Sequence, residues 1–163
     1  MRYGGIGPEE AGMIAKTSIV IERSIDEVFA YVSNVENMPR WVSGVSRVKL
    51  LSDRVKAGAR FTADYADGLR RSGIDFKVVE FEPPVRFTTK SELGPFSFPF
   101  RGTLELRSVG NATEVTTNVE TGPDSLATRL VGVLFGPFLR RSTKRRLQEE
   151  LQALRASITR SSV

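Results

Sequence analysis

The stretch SIVIERSIDEVFAYVSNVENMPRW, residues 18–41, decides the fold because its period changes within a few residues. Lys16 to Arg23 is rich in β-branched residues and reads as a first strand. Ser24 follows as a helix cap, and Glu27, three residues on, completes a capping box. Ile25, Val28, Phe29 and Val32 then share one apolar face of a helix over Ile25–Ser33. A second short helix is expected from Val35 to Val42, interrupted by Pro39. Val45 to Ser52 resumes as a strand. A run of hairpins and then a long amphipathic segment complete the chain, the order of a curved antiparallel sheet gripping a helix.

Working outward, two turns set the expected strand pairing. Asp67-Gly68 is a two-residue turn signal. It would pair Ala66 with Leu69, Asp64 with Arg71, Phe61 with Ile74, Arg60 with Asp75 and Ala59 with Phe76. One face is then apolar and the other carries two opposite-charge pairs. Gly110-Asn111 acts likewise. It pairs Arg107 with Glu114 and Arg101 with Glu120 outside, and Leu106 with Val115, Leu104 with Thr117 and Gly102 with Val119 inside. Pro83-Pro84 marks a further turn, after which Phe87, Thr89 and Ser91 share a face. The result is a meander with one wet face and one lipophilic face.

Pro123 to about Arg160 reads as helix. Straight, it would span on the order of 55 Å, whereas a domain of this size is about 40 Å across. A bend at Gly136-Pro137 is therefore expected, with Pro137 opening the second piece. There Leu147, Leu151, Leu154 and Ile158 repeat at helical spacing and face the sheet.

At 163 residues the chain suits one domain, expected over 13–160, with the Gly-rich segment 1–12 fraying. That segment lacks the apolar core of a signal peptide, and no run of about 18 apolar residues occurs, so a cytoplasmic protein is expected. Cysteine and histidine are both absent. This excludes thiolate nucleophiles, Ser-His-Asp triads and Cys- or His-ligated zinc, and no metal or cofactor is expected. The net charge of +5 is concentrated in one late cluster. Aromatic residues are not interleaved with those basic residues, so nucleic acid is not expected as a partner.

The ordered set of motifs resembles a known superfamily. The stretch at 18–41, VVEFEPPVRFT at 78–88 and GNATEVTTNVE at 110–120 are similar to the opening, the central hairpin and the last strand of the START-like, or SRPBCC, proteins. These include the polyketide cyclase/dehydrase-like and birch-pollen-allergen types. The resemblance covers about Ile14 to Ile158 and implies an α+β helix-grip fold with an internal cavity. It carries over no catalytic set, because the fold hosts many functions.

The candidate residues come from the faces just assigned. Phe61, Phe76, Phe87, Phe98 and Phe100 fall on the inner face with Leu104 and Thr117, and Gly102 leaves local room. Leu130, Leu134 and Phe138 of the final helix would complete the lining. Trp41 reads either as an aromatic wall at the entrance or as a core anchor. Tyr65 and Arg70 pair near the hairpin tip, where they could orient a ligand oxygen or simply reach solvent. Glu80 points inward in a regular strand and would be a general acid or base, whereas a bulge at Val78-Val79 would turn it outward and put Phe81 inside. Arg140, Arg141, Lys144, Arg145 and Arg146 follow an apolar stretch and suit either an anionic membrane surface or a solvated helix face.

The sequence thus points to a lipophilic small molecule (lipid, polyketide or aromatic compound) held between sheet and helix. Burying about 300 Å² of apolar ligand would contribute roughly 7 kcal/mol before ordering costs. The alternatives are a cyclase or dehydratase using Tyr65, Arg70 or Glu80 in the same cavity, and a membrane-associated lipid or quinone chaperone.

Overall fold

The alternation read from the sequence closes into one seven-stranded antiparallel sheet. In the computed structural model, residues 13–66, 71–91, 100–121 and 126–161 are described. The strands are β1 (Met13–Ile21), β2 (Val45–Leu50), β3 (Arg60–Tyr65), β4 (Arg71–Glu82), β5 (Arg86–Ser91), β6 (Phe100–Val109) and β7 (Ala112–Thr121). Their order is β1-β7-β6-β5-β4-β3-β2, so β2 to β7 form a meander and β1 returns to pair with β7. Between β1 and β2 lie α1 (Ile25–Ser33) and a 3-10 helix (Val35–Arg40), and α2 (Leu126–Arg160) ends the chain. This is the α+β helix-grip arrangement.

Local chemistry explains the crossover from β1. The Ser24 hydroxyl accepts from the Glu27 backbone N–H, and the Glu27 carboxylate accepts from the Ser24 N–H. That reciprocal box satisfies two donors that a helix start leaves open. Val28, Phe29 and Val32 are buried, and Ile25 packs against the same core. The second helix is a 3-10 segment containing Pro39 rather than an α-helix to Val42. A proline there forfeits only one donor, which a short 3-10 turn tolerates.

The β6–β7 register is the expected one at every pair named, from Arg107 opposite Glu114 to Arg101 opposite Glu120. The β3–β4 register differs. Phe61 faces Phe76, Thr62 faces Asp75 and Ala63 faces Ile74, a slip of two residues from the expected pairing. Because side chains alternate with period two, an even slip keeps the apolar face and breaks only the charge pairs. Arg60 lies opposite Lys77, and Asp64 pairs with Arg47 of β2 at 2.6 Å. A bulge between Ala63 and Tyr65 accommodates the slip, with Gly73 at φ +69° donating its N–H to Asp64 Oδ1 at 2.7 Å.

The long helix also departs from expectation. α2 is unbroken from Leu126 to Arg160, through Gly136-Pro137, rather than two pieces. Pro137 forfeits a single i→i−4 bond, and the turns on either side carry the helix across it. Its C-terminal half packs as the spacing predicts. Leu151, Leu154 and Ile158 enter the main core, and Leu147 buries against Ala15 of β1 and Val119 of β7. The segment 1–12 lies outside the described residues.

The bulge yields a test of the corrected register. Gly73→Ala forces a side chain into the left-handed region, so denaturant unfolding should show a loss of about 1–2 kcal/mol. Gly73→Asn should lose less, because asparagine tolerates that conformation. An unchanged Gly73→Ala midpoint would be incompatible with the bulge.

Candidate functional site

The strand registers lay the concave face out as a lattice, since directly opposed residues share a face. One row runs Ala15, Val119, Gly102, Thr89, Val78 across β1, β7, β6, β5 and β4. The next runs Thr17, Thr117, Leu104, Phe87, Phe81. On the other side, Phe100, Ser91, Phe76 and Phe61 stand in line. Gly102 therefore sits at the centre of a lattice whose other positions carry side chains. α2 borders this area through Leu147 at the Ala15–Val119 end.

Three of the aromatic candidates are tightly packed. Phe61 and Phe76 stack at 5.1 Å with rings 6° apart, and both are buried. Phe87 is buried and meets Phe81 edge-on at 6.2 Å, and Phe81 touches Phe29 of α1 at 5.5 Å. These rings join sheet to helix. Leu104 and Thr117 are buried on the same concave face. Trp41 is partly buried against the main core, and its indole N–H is enclosed with no hydrogen-bond partner among the described residues. Arg70 and Phe98 lie outside the described residues, as do the side chains of Phe100, Leu130, Leu134, Phe138 and Arg140.

Glu80 does not face inward. A bulge between Val78 and Glu80 shifts the alternation, putting Phe81 against the core and Glu80 on the convex side. There it accepts from the Thr88 hydroxyl and lies 3.3 Å from Arg101. The Thr88 hydrogen bond, aided by Arg101 and Arg86, holds the carboxyl below its usual range despite some desolvation. An ionised, paired, outward carboxylate is a poor general acid for chemistry inside.

A different acid reaches the interior. Glu150 of α2 is 9% exposed and accepts from the Ser43 backbone N–H at 3.0 Å and from Arg146 at 3.3 Å. Arg146 in turn donates to the Ser43 carbonyl at 2.8 Å, so one helix turn clamps the segment between the 3-10 helix and β2. Burial pushes the Glu150 carboxyl up, with Arg146 and the Ser43 N–H opposing. Tyr65, 8% exposed on β3, stands near enough that its phenol feels both charges. Burial first, then the Glu150 charge, raises it to about 12. Tyr65 is therefore a hydrogen-bond donor at neutral pH and not a base. Its strand partner is Arg71, not Arg70. The sequence held a signal for Glu150. It falls three residues after Leu147 and four before Leu154, an acid inside the apolar stripe.

Elsewhere, Arg86–Glu105 and Arg107–Glu114 ion pairs wall a shallow convex groove, and Tyr31, Arg40 and Arg160 line a second surface depression. Among the described residues no group of three or more acidic, histidine or cysteine side chains could hold a metal. No helix among them is long and apolar enough to cross a membrane.

Comparison with known proteins fits this geometry. Residues 14–159 match the family model described as polyketide cyclase / dehydrase and lipid transport. The chain belongs to this family. Its START-like fold recurs in solved structures. A START superfamily protein from Mycobacterium smegmatis is 13% identical with a TM-score of 0.71, covering 91% of this chain and 99% of that one. The protein TTHA0849 from Thermus thermophilus is 13% identical at 0.69 with the same coverage. The di-domain ARO/CYC StfQ of the steffimycin biosynthetic pathway is 15% identical at 0.70, and 93% of this chain covers 53% of it. At these identities the likeness is one of fold. No curated protein matches.

Glu150 makes the pH dependence of stability testable. A carboxyl raised on folding contributes stability that is fully present below its ordinary value of 4.5 and lost as pH rises through the folded value. The stability of wild type relative to Glu150→Gln should therefore fall as pH rises across that window in urea titrations. A difference that stays flat or grows would contradict the assignment.

Proposed function

We propose that this START-like protein binds a lipophilic small molecule on the concave face of its sheet, beside α2. The observation that carries the reading is the missing side chain at Gly102, flanked by Val119, Leu104 and Thr89 in an otherwise filled lattice. A family described as including lipid transport supports the same reading. Phe61, Phe76 and Phe87 act here as the rigid wall that holds the sheet's curvature, while the area around Gly102 receives the ligand. Phe98, Phe100, Leu130, Leu134 and Phe138 belong to the lining in this proposal.

Native mass spectrometry of the purified protein tests it. A stoichiometric organic ligand, extractable into solvent, is the expected result. If none co-purifies and the protein also fails to enhance the fluorescence of anilinonaphthalene sulfonate at micromolar concentration, the reading is wrong.

A second reading, a cyclase or dehydratase, is favoured by one observation, the buried Glu150 carboxyl beside the Tyr65 phenol. Burial raises the proton affinity of the Glu150 carboxyl, and in this reading it exchanges a proton with a ligand oxygen that Tyr65 orients. In an enzyme, Glu150→Gln should abolish turnover of the extracted ligand class while its binding persists. In a carrier both wild type and variant bind and neither turns over. For collection from membranes, Arg141 and Lys144 are the candidate contacts, while Arg145 is engaged by Glu149 at 3.1 Å. Charge reversal at Arg141 and Lys144 should weaken sedimentation with phosphatidylglycerol vesicles, and unchanged sedimentation would remove the membrane role.

A further inference from the structure

The lattice around Gly102 is not uniformly apolar. Ser91 is 1% exposed and stands on the concave face, because it opposes buried Phe76 across β4. Its hydroxyl has no hydrogen-bond partner among the described residues. Thr89 precedes it by two residues on the same strand and the same face, directly opposite Gly102. Thr117 lies diagonally across Gly102 on β7, with Thr17 opposite it on β1. Gly102 and Thr89 both retain accessible surface, while Val119, Leu104 and Ser91 beside them are buried.

We infer that Ser91, Thr89 and Thr117 form a hydroxyl-lined subsite around Gly102 that takes the oxygen function of the ligand, a neutral hydroxyl or carbonyl group on an otherwise apolar body. This deepens the ligand-binding reading and rests on it. The physical argument is one of asymmetry. Enclosing an unpaired hydroxyl costs stability, and a hydrophobic residue of similar size would avoid that cost. A serine held there is accounted for when a bound molecule supplies the partner. A glycine opposite a threonine removes the side chain that would otherwise fill the approach to it. The neutral class follows from the surroundings. Ala15, Val119, Val78, Leu104 and Phe87 border the subsite, and among the described residues of these lattice rows there is no lysine or arginine to balance a carboxylate.

Three probes of matched size test the inference by titration calorimetry: naphthalene, 2-naphthol and 2-naphthoate. Wild type should bind 2-naphthol about tenfold tighter than naphthalene, the contribution of one buried hydrogen bond, and 2-naphthoate weakest. Ser91→Ala should shrink the tenfold preference to about twofold while naphthalene binding holds. The same variant, without ligand, should melt at a higher temperature than wild type, because an unpaired buried hydroxyl has been removed. Gly102→Leu should weaken all three probes. If Ser91→Ala keeps the preference, or lowers the melting temperature of the free protein, the subsite is overturned and the ligand-binding reading stands. If neither naphthalene nor 2-naphthol binds wild type, both fall together.

Discussion

One face of a seven-stranded sheet has to be kept from water, and the helices available to do it are few. Strands lie about 4.8 Å apart, so seven of them present a face about 30 Å wide, whereas a helix with its side chains is about 10 Å across. α2 sets Leu147 against Ala15 of β1 and Val119 of β7, and sends Leu151, Leu154 and Ile158 into the main core. α1 and the 3-10 helix add Val28, Phe29, Val32 and Val35. The remainder must be closed by rings reaching across, by curvature, or by something bound. The stacked Phe61–Phe76 pair and the Phe29–Phe81–Phe87 contact supply the first. Gly102 is the position in the lattice rows that adds no side chain to the cover.

Much of this was legible because local rules and the tertiary fold agree. The Ser24–Glu27 box, the apolar face of α1 and the stripe of α2 depend on residues within a turn or two of one another. The β6–β7 hairpin was readable for the same reason, since a tight Gly110-Asn111 turn fixes every later pair. The β3–β4 hairpin was not, because a third strand intervenes. Asp64 is held by Arg47 of β2 and by the Gly73 N–H, and pairing arithmetic between two strands cannot see either.

The site divides along the same line. Alternation put Phe61, Phe76, Phe87, Leu104 and Thr117 on the inner face, where they are buried. It failed at Glu80, where one extra residue in β4 reversed the faces, with Phe81 inside as the bulged alternative required. Glu150 was missed, because the Ser43 N–H that draws this acid inward lies 107 residues away, outside any local pattern. Tyr65 does lie inside, where burial comes first in raising its phenol and the charges it feels come from α2 at the far end of the chain, not from its own hairpin.

The strand order has a consequence for how the protein behaves in company. β1 and β2 are the two ends of the sheet, and α2 runs beside the first. β2 is left as an edge whose backbone groups could recruit a strand from another chain, the usual seed of aggregation. It is only six residues long, carries Arg47 and Lys49 within that length, and has a bulge between Val45 and Arg47. A second copy approaching edge to edge would have to accommodate the exposed Lys49 and a broken ladder. A short, charged and bulged strand thus stands where the ladder of hydrogen bonds stops, and those are the features that blunt edge-to-edge pairing.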